Sequence, residues 1–233
     1  DIGDYQRKLE AEDKLNRSRW VNFAEDLFIW KMPTFAVEES DVEAMVGRAR
    51  KYKTIILDLR GNGGGYVTTC ERLAGAFFEK EVVMAEPRGR KKMKPLKSQR
   101  SPSPYTGKLI VLIDSDSASA SEIFSRVVQI EKRGIVIGDR SAGAVMEALH
   151  YPHELGIDTV IPYGVSVTIA DLIMTDGKSL ERTGVVPDEV LLPSPADMRD
   201  KRDPVMARAA ALAGVQLTAE KAGLLFPIEW RKY

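Results

Sequence analysis

The chain has 233 residues, 44% of them hydrophobic and 29% charged, which is enough to bury a core without covalent staples and excludes a disulfide-rich miniprotein. Its 34 Lys and Arg balance 34 Asp and Glu, so net charge points to no nucleic acid or anionic membrane surface as a partner. A single cysteine, Cys70, makes no intrachain disulfide, and with only His150 and His153 to join it no structural zinc site is expected; neither metal nor cofactor is called for.

No apolar run approaches the ~18 residues of a membrane span, and the charged opening stretch is no signal peptide. Residues 1–24 are polar, with scattered apolar positions such as Tyr5, Leu9, Leu15 and Trp20. They are expected to form a helical linker arriving from a missing upstream region, outside the core. Residues 27–32 follow as a strand stopped by Pro33, and Val42, Met45, Val46 and Ala49 at helical spacing predict an amphipathic helix over 38–50. The run 54–59 is continuously apolar up to Asp58 and reads as a strand buried on both faces. A helix over 71–78 and a strand over 82–85 come next, then a second buried strand at 109–114, a helix over 118–131 and a third buried strand at 135–138. Alternation of this kind calls for a mostly parallel sheet with helical crossovers, an α/β class. A strand pair interrupted by Pro162 and Gly164 is expected within 160–169, and a helix over 204–213. The resulting division is a linker at 1–24, a core domain at 25–195 and a C-terminal helical extension at 196–233.

One segment departs from neutrality. Residues 88–97, with Arg88, Arg90, Lys91, Lys92, Lys94 and Lys97, are strongly basic. A solvated loop or exposed hairpin, balanced by Glu38, Glu39, Asp41 and Glu43, is preferred over a phosphate or acidic-peptide contact. No DNA- or RNA-binding motif accompanies it.

Chemistry concentrates at two strand ends. Directly after the first buried strand stands Asp58-Leu59-Arg60-Gly61-Asn62-Gly63-Gly64-Gly65. Glycines there permit positive φ and expose N–H groups suited to an anion or oxyanion. The stretch is neither a P-loop nor a dinucleotide fingerprint, since no Gly-Lys-Ser/Thr follows and Tyr66 takes the third glycine position. After the second buried strand comes Asp114-Ser115-Asp116-Ser117-Ala118-Ser119-Ala120-Ser121-Glu122-Ile123-Phe124. It puts serines at a helix N-terminus, where they cap the helix or react. The absence of a G-x-S-x-G elbow argues against an α/β-hydrolase.

The pair DLRGNGGG and SASASEIF, in this order on successive strands, resembles the C-terminal processing (tail-specific) serine peptidases and their tricorn-core relatives. Gly138-Asp139-Arg140-Ser141-Ala142-Gly143 is similar to that family's G-x-x-T-x-G turn, and Gly184-Val185-Val186-Pro187-Asp188 to its G-[IV]-x-P-D segment. The resemblance runs over most of 27–192. It implies the ClpP/crotonase-like spiral of ββα units and endopeptidase activity on exposed or disordered C-terminal segments of polypeptides, with a PDZ-like region upstream. It also implies Ser119 as nucleophile, with Ser117 and Ser121 packing or capping. The N–H of Ala120 and of Gly64 or Gly65 would form the oxyanion hole, and Arg60 and Asn62 would hold the loop.

The sequence departs from the tail-specific pattern where that branch has its lysine base. Ala144 stands there, and Ala148 replaces the glutamine four positions on. In the tricorn-like branch the base is an upstream histidine and a downstream glutamate orients the site; Glu181 is the matching position. The tricorn-like branch is therefore preferred, with the base outside this chain. His150 and His153 are the local alternatives, though surface or structural roles suit them better. Cys70 is expected to be a buried structural thiol, and Asp58 to pair with backbone or Arg60. Two other functions compete: a non-catalytic ligand- or peptide-binding module on the same fold, and a crotonase-like acyl-CoA enzyme. The resemblance favours an extracytoplasmic location, periplasmic or secreted, and leaves oligomeric state open.

Overall fold

The computed structural model describes residues 17–156 and 161–226. Its main sheet has six strands in the order β1-β2-β3-β6-β7-β10. These are β1 (Arg19–Phe23), β2 (Leu27–Lys31), β3 (Thr54–Asp58), β6 (Lys108–Ile113), β7 (Ile135–Gly138) and β10 (Glu189–Val190). Only β1 runs antiparallel to its neighbour, and every other pair in this sheet is parallel. A second sheet, ordered β5-β4-β9-β8, contains β4 (Val83–Gly89), β5 (Leu96–Lys97), β8 (Glu147–Leu155) and β9 (Ile161–Met174), all antiparallel.

The continuous apolar runs have a direct cause, because the main sheet is covered on both faces and successive side chains point to opposite sides. Ile55, Leu57, Val111, Ile113 and Val136 pack with helices α1 (Glu39–Ala49), α2 (Val67–Phe77) and α3 (Ala120–Ile130). Ile56, Ile110, Leu112 and Ile137 pack on the other side against Val205, Met206, Ala209 and Ala210 of a C-terminal helix. That helix is α5 (Pro204–Leu212), preceded by the short α4 (Pro195–Arg199) and followed by α6 (Ala219–Leu225). The region expected as an extension at 196–233 therefore supplies one layer of the core.

Other expectations need correction. Residues 19–23 are a strand, not part of a helical linker: Trp20, Val21 and Phe23 are strand formers, and the segment folds back in register on β2, Trp20 opposite Trp30. The part of the linker at 1–16, like Trp230, lies outside the described residues. Helix α2 starts four residues before the expected 71, since Thr69 is buried and donates its hydroxyl to Val37 O at 2.7 Å. The interrupted strand pair at 160–169 is instead one long strand, β9, whose partner β8 the sequence reading passed over. Pro162 and Gly164 do not break β9 because β4 pairs only with its far end, Ala170 to Met174. Pro162 thus lies in the part of β9 that pairs with β8 alone, where a proline is tolerated better than in a central strand. Beside it, Leu149 opposite Val167 and Tyr151 opposite Val165 are exposed. Two of the acidic residues expected to balance the basic stretch, Glu39 and Glu43, instead pair with Arg72 at 3.1 Å.

The end of β3 is fixed by a buried charge cluster. Asp58, 1% exposed, takes Arg60 in a two-pronged grip at 2.9 and 2.8 Å and accepts from Lys31 Nζ at 3.2 Å. The Lys31 ammonium also donates to Arg60 O. Arg60 grips Asp203 in turn at 3.0 and 2.7 Å, and Asp203 caps α5 by accepting from Met206 N at 2.9 Å. Burial alone would raise the Asp58 pKa, but the Arg60 and Lys31 charges overcome it and hold the carboxyl well below the usual range. Its contribution to stability is complete above the unfolded-state value of ~3.9 and is lost as pH falls through the depressed folded value. Asp58→Asn leaves Lys31 without its carboxylate and Arg60 with Asp203 alone, and is expected to cost ~3–5 kcal/mol at neutral pH. Urea unfolding from pH 7 to pH 2 checks this, and the gap between wild type and Asp58→Asn closes only below about pH 4.

Candidate active site

Parallel neighbours end together, so the loops after β3, β6 and β7 leave the same edge of the sheet side by side. Ligand sites of open α/β sheets form at such carboxyl ends. The first loop is organised by Asn62, fully buried, whose Nδ2 donates to Met32 O at 2.8 Å while its Oδ1 accepts from Gly64 N at 2.9 Å. Its carbonyl accepts from Ala118 N at 3.0 Å and from Ser121 Oγ at 2.8 Å, which ties the second loop to the first. Ser117 adds a further tie by donating its hydroxyl to Leu59 O at 2.9 Å. Ser117 and Ser121 thus join loops, and Ser119 alone of the three serines lines a cavity.

Ser119 stands at the N-cap of α3 with φ 55° and ψ −118°. A non-glycine residue there carries ~1–3 kcal/mol of strain and persists only when its surroundings hold it. Its N–H is shared between Ala144 O and Glu122 Oε2, both at 2.9 Å. Glu122 is fully buried, and each of its oxygens takes two donors. Oε1 accepts from Ser141 Oγ at 2.6 Å and Gly143 N at 2.8 Å, while Oε2 accepts from Ala144 N at 2.9 Å in addition to Ser119. Ser141 Oγ also accepts from Val185 N at 2.6 Å, which draws the Gly184-to-Asp188 segment into the same cluster. Asp188 anchors that segment to the sheet by accepting from Val136 N at 2.8 Å.

Gly64 is required by closeness: a Cβ on it would lie 2.6 Å from Ser119 Cβ, and its φ is +99°. Gly65, at φ +145°, would put a Cβ 2.2 Å from Ala36 N. The two glycines differ in what their N–H groups do. That of Gly64 is taken by Asn62 Oδ1, whereas that of Gly65 has no acceptor among the described residues and Gly65 lines the cavity. Ala120 also lines it, and its N–H is the first of α3, one that a helix leaves without an intrahelical acceptor.

The cavity has a volume of about 380 Å³. Its far wall comes from β8 and β9 and carries Glu147, Ala148, His150, Thr168 and Leu172, with Glu181 beside them. Glu181 Oε2 accepts from Val145 N at 2.8 Å, so Glu181 borders the same cavity as Ser119 and braces the strand that leaves Ala144. His150 lines the cavity too; His153 is stacked on Tyr163 with ring centroids 5.4 Å apart. Cys70 reaches the cavity, but burial pushes its thiol pKa up, and its Sγ lies 3.5 Å from Ala120 O, so it stays a protonated packing group. Among the described residues no group of three or more His, Cys, Asp or Glu is placed to hold a metal ion.

The sequence reading missed Glu122 and Glu147. Glu122 had a signal, since Ser119-x-x-Glu122 ahead of an apolar run is the spacing of a capping box. Nothing in the sequence marked Glu147. Glu122→Gln replaces one acceptor oxygen by an amide that faces two hydrogen-bond donors. It is expected to cost ~2–4 kcal/mol, the sum of a lost charged hydrogen bond and an unsatisfied buried donor, measured by urea unfolding. Ser141→Ala, which removes one donor to Glu122 and the acceptor for Val185 N, is expected to cost less than Glu122→Gln.

Comparison with known proteins gives a consistent result. Residues 28–191 match the model of peptidase family S41. A tail-specific protease of Haemophilus influenzae is 30% identical over 213 residues, 86% of this chain and 30% of that protein. A carboxy-terminal-processing protease of Bartonella bacilliformis is 28% identical over 196 residues, 79% of this chain and 40% of that one. The solved structure of the photosystem II D1 C-terminal processing protease superposes with a TM-score of 0.57 at 22% identity, over 73% of this chain and 44% of that chain. The chain therefore spans less than half the length of these curated relatives. With the family match covering most of its length, the chain belongs to peptidase family S41.

Proposed function

We propose that this chain is the core of a serine endopeptidase that cleaves polypeptides in exposed or C-terminal segments through an acyl-enzyme on Ser119. The observation that carries this reading is the held geometry of Ser119: a strained residue at a helix N-terminus, locked by a buried carboxylate and facing a cavity. In the proposed reaction Ser119 Oγ attacks the scissile carbonyl carbon while its proton passes to a base. The carbonyl oxygen, now anionic, accepts hydrogen bonds from Ala120 N–H and Gly65 N–H. The base then returns the proton to the leaving amine, and water releases the acyl group. Gly65 is preferred to Gly64 as second donor because the Gly64 N–H is already given to Asn62.

Ala144 occupies the position where the tail-specific branch has its lysine, and a methyl group takes no proton. We assign the base to a histidine elsewhere in the full protein, with Glu181 as the orienting carboxylate at the cavity wall. His150, which lines the same cavity, is the alternative within the chain. The spiral of ββα units belongs to this reading, as does an extracytoplasmic location; among the described residues no helix is long and apolar enough to cross a membrane. A carrier or binding module without chemistry would have no use for strain at Ser119.

Labelling with a fluorophosphonate probe tests the assignment. The full-length protein is expected to label and to lose labelling on Ser119→Ala, while residues 1–233 alone label at least ~10²-fold more slowly, the usual loss when a general base is missing. Labelling of residues 1–233 at the full rate, abolished by His150→Ala, would move the base to His150. Failure of the full-length protein to label beside a reactive control peptidase would sink the enzyme reading.

A further inference from the structure

The side of the cavity formed by β8 and β9 contains an uncompensated group. Glu147, the first residue of β8, sits at the bulge where pairing with β9 shifts between Glu147 and Ala148. The bulge re-aims side chains at that point of the ladder, and both Glu147 and Ala148 line the cavity. Glu147 Oε2 is buried and makes no hydrogen bond. Neither oxygen of this carboxylate accepts a hydrogen bond among the described residues: Oε2 is closed off from solvent, and Oε1 is the atom left open to a partner, so a ligand cation brought to Oε1 supplies the charge-assisted pairing that the half-buried carboxylate lacks. Burial raises the Glu147 pKa, in keeping with a carboxylate that lacks its partner.

The rest of the cavity narrows the ligand. Its ionisable lining groups are Glu147, Glu181, His150 and the protonated thiol of Cys70, with no lysine or arginine among the described lining residues. The lining is thus short of positive charge. Val67, Leu96, Ile123 and Leu172 supply apolar walls between Ser119 and the β8–β9 side. Methylene groups pack on such walls while a charged tip seeks a polar end.

We propose that Glu147 forms the floor of a specificity subsite beside Ser119 that takes a lysine or arginine side chain of a polypeptide, its aliphatic stem along the apolar walls and its cationic head on the Glu147 carboxylate. This rests on the peptidase reading for the identity of the ligand, but binding to the subsite needs no chemistry. The acid at the end of an apolar slot discriminates by charge: a cationic side chain pairs with the open oxygen of Glu147, whereas an apolar one of the same length takes that oxygen out of water with no partner.

The test separates the subsite from the reaction. In a Ser119→Ala background of the full-length protein, affinity is measured by calorimetry for an acetylated tripeptide amide ending in lysine and for its norleucine counterpart, which lacks the ammonium group. The lysine peptide is expected to bind about tenfold or more tightly, the worth of one charge-assisted hydrogen bond. Glu147→Gln, which keeps the shape, and Glu147→Ala are both expected to remove that preference while leaving norleucine affinity within about twofold. Equal affinity for the two peptides, including no measurable binding of either, overturns the subsite, and so does a lysine preference that survives in Glu147→Ala. Loss of fluorophosphonate labelling in the wild type would instead strike the peptidase reading and leave this comparison of affinities standing on its own.

Discussion

The buried carboxylate of Glu122 is the interaction on which the site depends. A charge removed from water survives in a protein only when its lone pairs are filled, and here the donors come from three places in the chain: Ser119, the Ser141 hydroxyl, and the backbone of Gly143 and Ala144. The dependence runs both ways. The loops after β6 and β7 must lie in one arrangement to satisfy the charge, and the charge holds Ser119 in a backbone conformation it would otherwise leave. Because Glu122 is also the third residue of α3, its helix carries the anion to a place where the N-terminal dipole favours it.

Around that centre the fold works by bringing strand ends together. Asn62 ties the glycine-rich loop to the serine loop through its backbone carbonyl and to β2 through its amide, so the N–H groups of Gly65 and Ala120 are placed by two independent attachments. Farther back, Asp58 and Arg60 lock the exit of β3 to the cap of α5. The helix covering the back of the sheet is thereby linked to the loop at its edge. The Ser119 side chain lies too close to Gly64 to allow a Cβ at the glycine, so the glycine cluster is explained as much by the room Ser119 needs as by loop conformation.

Much of this was visible in the sequence because the signals were local. Buried parallel strands announce themselves as short apolar runs, and the three at 54–59, 109–114 and 135–138 fall within a residue or so of β3, β6 and β7. Motif order placed Ser119 and the glycine loop after adjacent strands. What escaped notice depends on contacts across long spans of chain. Residues 19–23 look like the polar stretch before them until β2 offers a partner. The strand β8 was hidden by His150, Pro152 and His153, although Leu149, Tyr151 and Leu155 alternate with polar neighbours in the period of a strand. Which glycine N–H stays free cannot be seen in Gly63-Gly64-Gly65, since it is settled by Asn62 Oδ1. Glu147 gave no sign at all, because a carboxylate on an exposed strand and one aimed into a cavity are the same letter.

The two walls of the cavity differ in construction, and the difference separates their roles. The wall that holds Ser119 is made from the ends of buried parallel strands, and its polar atoms are committed to one another: the glycine loop, the serine loop and the turn at Ser141 to Ala144 share Asn62 and Glu122. A substitution there disturbs several loops at once. The opposite wall belongs to β8 and β9, a two-stranded arm over most of its length, with much of its surface in solvent. Its side chains have few obligations beyond cross-strand pairing, so they change at little cost to the fold. On the proposed reading, reactivity belongs to the rigid, interlocked edge and selection to the loosely committed arm. Glu147 stands where the two meet, at the bulge that opens β8 and three residues after Ala144 of the interlocked turn.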